Sequence, residues 1–64
     1  MWVAVDKKDE ELAYHDEPVR RNDWNTWVGD YDDTGVVMPT GSIERLLGRK
    51  LTWEDEPVEI TNLK

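Results

Sequence analysis

No cysteine occurs in the chain, so disulfides, thiolate metal sites and a cysteine nucleophile are excluded, and small size has no covalent compensation. Phenylalanine is absent too. Every aromatic ring, on four tryptophans and two tyrosines, therefore carries an N–H or O–H that must find an acceptor or stay wet. Basic residues are scarce: 8 lysines and arginines face 15 aspartates and glutamates, for a formal net charge of -7. That deficit argues against direct nucleic-acid binding, because counterion release from a phosphate backbone needs Lys and Arg. No apolar run approaches the ~18 residues of a membrane span, and the start lacks the positive flank and apolar stretch of a signal peptide. We expect a soluble, cytoplasmic protein with no membrane partner.

Catalysis has little to work with. There is one histidine, no G-x-S-x-G turn and no glycine-rich phosphate loop. His15 adjoins Asp16, but neighbours in an extended chain point to opposite faces, so their adjacency does not make a dyad. Paired carboxylates abound, yet functional pairs need a cleft that separates their pKa values, and so short a chain has little room to enclose one. The expectation is no enzyme, no cofactor and no metal site.

What is present fits one small domain spanning residues 1–64. Ordering the chain costs roughly 1.5 kcal/mol per residue, so the stability margin is thin. Trp2, Trp24, Trp27, Trp53, Tyr14 and Tyr31 can each bury about 150–250 Å² and are the natural core anchors. Trp2-Val3-Ala4-Val5, the polar turn Asp6 to Glu10 and Glu11-Leu12-Ala13-Tyr14 read as a hairpin, with Val3 and Val5 on one face and Trp2 and Ala4 on the other. Apolar groups on both faces predict an interior strand. Pro18 ends the hairpin, and Val19-Arg20-Arg21 reads as a short edge segment before the turn Asn22-Asp23.

Trp24 to Val28 reads as a third strand, with Trp24, Thr26 and Val28 on one face. Val36-Val37-Met38 follows a break from Gly29 to Gly35, so residues 24 to 38 form a second hairpin around a long acidic loop. After Pro39, the spacing of Ile43, Leu46 and Leu47 predicts a helix of a turn or two, capped by Ser42 and closed by a left-handed Gly48. Val58-Glu59-Ile60-Thr61 alternates as a half-buried strand should. The fold class is thus mainly β, α+β at the margin. We expect a four- to five-stranded antiparallel sheet, or a small open barrel, with one short helix near residues 42–48.

Asp-Glu-Pro-Val occurs twice, at residues 16–19 and 55–58. Both copies read as strand starts: a solvated acidic pair, a φ-fixing proline and a β-branched residue. Asp30-Tyr31-Asp32-Asp33-Thr34-Gly35 resembles the first half of a calcium loop, with oxygen donors at positions one, three and five and glycine at six. Position twelve is Gly41 where a bidentate Glu is required, so the segment reads as an acidic hairpin loop.

Met1-Trp2-Val3-Ala4 and the segment Leu51-Thr52-Trp53-Glu54-Asp55-Glu56-Pro57-Val58-Glu59-Ile60 together resemble a group of short phage- or prophage-type proteins of Gram-positive bacteria. Those proteins open on Met-Trp-Val/Ile-Ala and close on Trp-Glu-Asp/Asn-x-Pro before a strand. The resemblance implies a complete small protein and brings no activity, cofactor or catalytic residue.

Aromatic anchors amid charge are what a small protein interface consists of. The sequence therefore points to a noncatalytic protein-binding accessory module whose contact residues are Trp24, Trp27, Tyr31, Asp30, Asp32 and Asp33. The protein would be a monomer or weak homodimer. Two alternatives stay open: an acidic nucleic-acid mimic that occupies the groove of a DNA- or RNA-binding protein, and a self-associating structural protein.

Overall fold

The computed structural model describes residues 1–61. Strand β1 (Trp2–Val5) pairs antiparallel with β2 (Glu11–Tyr14), matching Trp2 with Tyr14 and Val5 with Glu11. The turn between them is held by Asp6, a buried carboxylate whose Oδ1 accepts the N–H of Lys8 at 2.8 Å and of Glu10 at 2.9 Å. Aspartate does this because its side chain is short enough to accept from the backbone two residues on. β1 is the interior strand its two apolar faces predict.

The second hairpin forms differently from the expectation. Strand β3 (Val19–Arg21) pairs with β4 (Thr26–Val28), and β5 (Val36–Met38) pairs with β2. Trp24 is therefore not in a strand; it sits in the turn over residues 22–25, with Asn25 at φ 57. Asparagine tolerates that left-handed conformation, and the Trp24 N–H donates to the Arg21 carbonyl at 3.1 Å to close the turn. The acidic loop joins β4 to β5 across two sheets.

The result is a four-stranded antiparallel sheet of order β5-β2-β1-β6 and a separate two-stranded sheet β3-β4, with no closed barrel. Strand β6 is Val58–Glu59, shorter than the alternation from Val58 to Thr61 suggests, although the Ile60 N–H still donates to the Met1 carbonyl at 2.7 Å. Both Asp-Glu-Pro-Val copies do lead into strands, at Val19 and Val58.

The large sheet is covered on both faces. On one, Val3 and Val5 pack with Ile43, Leu51, Met38, Leu47, Val58 and Ile60. On the other, Ala4, Leu12 and Tyr14 pack with Trp27, Trp2 and Trp53. Helix α1 (Ser42–Leu47) covers the first face and ends at Gly48, φ 76, as its sequence predicts. Its N-terminus does not. Ser42 donates its hydroxyl to the Pro39 carbonyl, and the cap position is Gly41 at φ 92. The free N–H groups are met instead by Glu11 of β2, whose carboxylate accepts from Gly41 at 2.7 Å and Ile43 at 2.8 Å. A carboxylate suits that place because the first N–H groups of a helix lack intrahelical partners and carry partial positive charge.

Trp27 is the bolt between the two sheets. Its indole N–H donates to the Val5 carbonyl at 2.8 Å, and its own carbonyl accepts the Tyr14 hydroxyl at 2.8 Å. The Val5 carbonyl is free because β6 reaches only Val58, opposite Val3. Beside this bolt the Arg20 guanidinium lies 4.6 Å from the Trp27 ring and 4.7 Å from the Trp53 ring, and donates to the Trp53 carbonyl at 2.8 Å. Such partly desolvated cation–π contacts contribute about 1–2 kcal/mol each. They offset the buried Arg20 Nε, which has no acceptor among the described residues. Tyr14 also sets the chain beyond the acidic loop: a Cβ at Gly35, φ +83, would sit 2.7 Å from its ring, so only glycine fits there.

Candidate binding surface

Gly29 donates its N–H to the Asp33 carbonyl at 2.7 Å and Asp33 returns one to the Asp30 carbonyl at 3.1 Å, which closes the acidic loop into a tight 3-10 turn over Asp30–Asp32. The Asp33 carboxylate turns inward, accepting the Gly35 N–H at 2.9 Å. Within the turn Tyr31 (φ 57) and Asp32 (φ 59) are both left-handed. A non-glycine residue in that region costs roughly 1–2 kcal/mol. Nothing the Tyr31 ring touches repays it, because the residue is 102% exposed relative to an extended reference. The loop holds a bare phenol ring between two aspartates.

Trp24 is the second exposed aromatic, 50% accessible, with the Arg21 guanidinium 4.1 Å from its ring. Asp23 grips that guanidinium bidentately at 2.7 and 3.0 Å. The hydrogen bond to Asp23 raises the Arg21 pKa against desolvation, with the charges of Asp23 and Asp32 adding to the rise; the same bond lowers the Asp23 pKa. The pair is too exposed to count toward stability, but it holds one face of Trp24 covered. The Trp24 turn and the acidic loop flank β4 at its two ends.

Of the residues the sequence singles out, Trp24, Tyr31, Asp30 and Asp32 are exposed, and Asp33 is half-buried. Trp27 is not on the surface: only 2% accessible, it belongs to the core. Arg20, Arg21 and Asp23 carry no site signal in the sequence read with Trp24 to Val28 as one strand. The signal was the four-residue turn: once residues 22–25 are read as the loop, Arg20 falls opposite Trp27 and Arg21 opposite Thr26.

The structure has more concave space than so short a chain suggests. One open cleft of about 440 Å³ lies between the β1–β2 turn and helix α1, lined among others by Val5, Asp9, Glu11, Ile43, Glu44 and Leu51. Its central carboxylate, Glu11, is already occupied by two backbone N–H groups. His15 and Asp16 do approach, at 3.4 Å, because strand alternation ends at Tyr14, but both side chains stand in solvent. Among the described residues no group of three His, Cys, Asp or Glu is placed to hold a metal ion, and no helix is long and apolar enough to cross a membrane. No protein-family model matches the chain, and no curated protein or solved structure matches it either.

Proposed function

We propose that the protein is a noncatalytic, cytoplasmic protein-binding accessory module that engages its partner through the acidic loop and the neighbouring turn, with Tyr31 as the anchor and Asp30, Asp32, Asp33 and Trp24 around it. The observation that carries this reading is Tyr31 itself, a fully exposed ring on a left-handed backbone flanked by carboxylates. Strained, exposed positions persist where something other than stability maintains them, and tyrosine is a favoured interface anchor because it adds large contact area at small entropic cost.

A photo-crosslinking residue at position 31, introduced in producing cells, tests it. A discrete heavier adduct containing a second protein is expected, with none from the same group at position 44 on helix α1. An adduct of this chain with itself only, or none at all, would reject the reading. Suppression of the adduct when duplex DNA is added to an extract of those cells before irradiation would reassign the surface to nucleic-acid mimicry.

A further inference from the structure

Among the described residues four strands have a free edge; β4 is largely buried, and β3, β5 and β6 are not defended alike. β6 has two residues, follows Pro57 and carries Glu59; β3 carries Arg20 and Arg21. Proline, charge and brevity are the devices that keep a free edge from pairing with another chain. β5 has no charge, and Val36 and Val37 are 69% and 61% exposed.

The register settles which backbone groups of β5 are free. Asp6 donates its N–H to the Glu10 carbonyl, so that pair is hydrogen-bonded and the next, Val5 with Glu11, is not. By alternation Leu12 addresses β1, while Glu11 and Ala13 address β5. Their partners there are Met38 and Val36. Val37 therefore points its N–H and C=O away from the sheet. The positions that bracket it are closed: the Gly35 N–H is taken by Asp33, and Pro39 has no N–H.

We propose that the β5 edge receives an extended segment of a basic partner protein, which pairs one residue with Val37 and adds a strand to the sheet. This deepens the protein-binding reading above and rests on it. The residues flanking the paired one would place their side chains on the Val36 face. That face holds an open depression of about 450 Å³ lined by Met1, Ala13, Tyr14, His15 and Val36, suited to an apolar side chain. Charge selects the occupant. The strand follows directly on Asp30, Asp32 and Asp33, and the whole chain carries -7, so a Lys- or Arg-flanked segment is attracted where a second copy, with another -7, is repelled.

The probe is a synthetic peptide of alternating valine and threonine closed by lysines, against a matched peptide closed by glutamates. By NMR, the lysine peptide is expected to slow hydrogen exchange at the Val37 amide and to shift Met1, Ala13 and Val36, and the glutamate peptide to do neither. N-methylation of the Val37 amide by chemical synthesis leaves the β2 hydrogen bonds intact; it should weaken the peptide by about tenfold or more with the melting temperature unchanged. Shifts confined to residues 30–33, with Val37 exchange unaltered, would overturn the edge site while leaving the acidic loop as the binding surface. Val37 protection that grows with protein concentration alone would assign the edge to a second copy and overturn the proposal as well. Loss of the Tyr31 adduct, by contrast, tests the underlying function independently of Val37.

Discussion

Replacing Trp27 with phenylalanine or alanine separates a core bolt from a contact residue. At 2% exposure the indole packs edge-on against Trp53, with ring centroids 5.6 Å apart and planes at 68°, and holds the Val5 carbonyl through its N–H. Trp27→Phe keeps an aromatic ring but removes the donor, leaving a buried carbonyl unpaired at a cost of about 1–3 kcal/mol. Trp27→Ala also opens a cavity and strips Arg20 of one of its two rings, which together cost about 3–5 kcal/mol. Small domains have about 0.05–0.15 kcal/mol of stability per residue, so 64 residues carry about 3–10 kcal/mol in all. The alanine variant should therefore lose about a third or more of its stability, and all of it if the parent lies near the low end of that range, while the phenylalanine variant shifts by less. Urea unfolding followed by far-ultraviolet circular dichroism gives both numbers. Trp24→Ala, at the half-exposed turn, is the control and should move stability by less than about 1 kcal/mol. A Trp27→Ala protein that unfolds cooperatively at the parent's midpoint would refute the packing argument.

Two further outcomes follow from buried polar groups. Glu11→Gln should cost about 1–2 kcal/mol, since a neutral amide has one acceptor oxygen for the two N–H groups of Gly41 and Ile43, and Glu11→Ala more; equal urea midpoints for parent and both variants would show that helix α1 is not held from β2. Burial pushes the Tyr14 phenol up from 10.0 to about 12, aided by the charges of Asp33 and Asp6 and opposed by the Thr26 hydroxyl. The folded state thus keeps a proton that the unfolded state has lost, so this group leaves stability unchanged below pH 10 and removes about 3 kcal/mol as pH rises through 10 to 12. Tyrosinate absorbance of a Tyr31→Phe variant, in which Tyr14 is the remaining tyrosine, follows this directly; ionisation near pH 10 in a protein still folded by circular dichroism would contradict it.

Much of the frame was legible before any coordinates. The apolar run on both faces of Trp2 to Val5 marks a central strand because only an element covered twice can afford no polar face. Gly48 closes the helix for a reason local to the backbone, and both copies of the repeated tetrapeptide lead into strands because the proline ends the preceding element and is followed directly by a β-branched valine. The partners of strands and caps were not legible. Ser42 and Glu11 were both chemically able to cap helix α1, and the choice fell to the carboxylate because β2 brings it alongside, a contact 30 residues apart in sequence. Likewise Trp24 and Trp27 are equivalent on paper, two indoles three positions apart, and which one is buried depends on where the turn between β3 and β4 falls.

The chain by itself determined composition-level physics: acidic charge, an aromatic interior without covalent links, mostly extended segments and one brief helix. Folding in three dimensions decided the pairing of β4 with β3 and β5 with β2, the burial of Trp27 beside Arg20, and the exposure of Tyr31 and the β5 edge. The reason is one of range: backbone preference acts over a few neighbours, whereas register and burial are set by which distant surfaces shed the most water together.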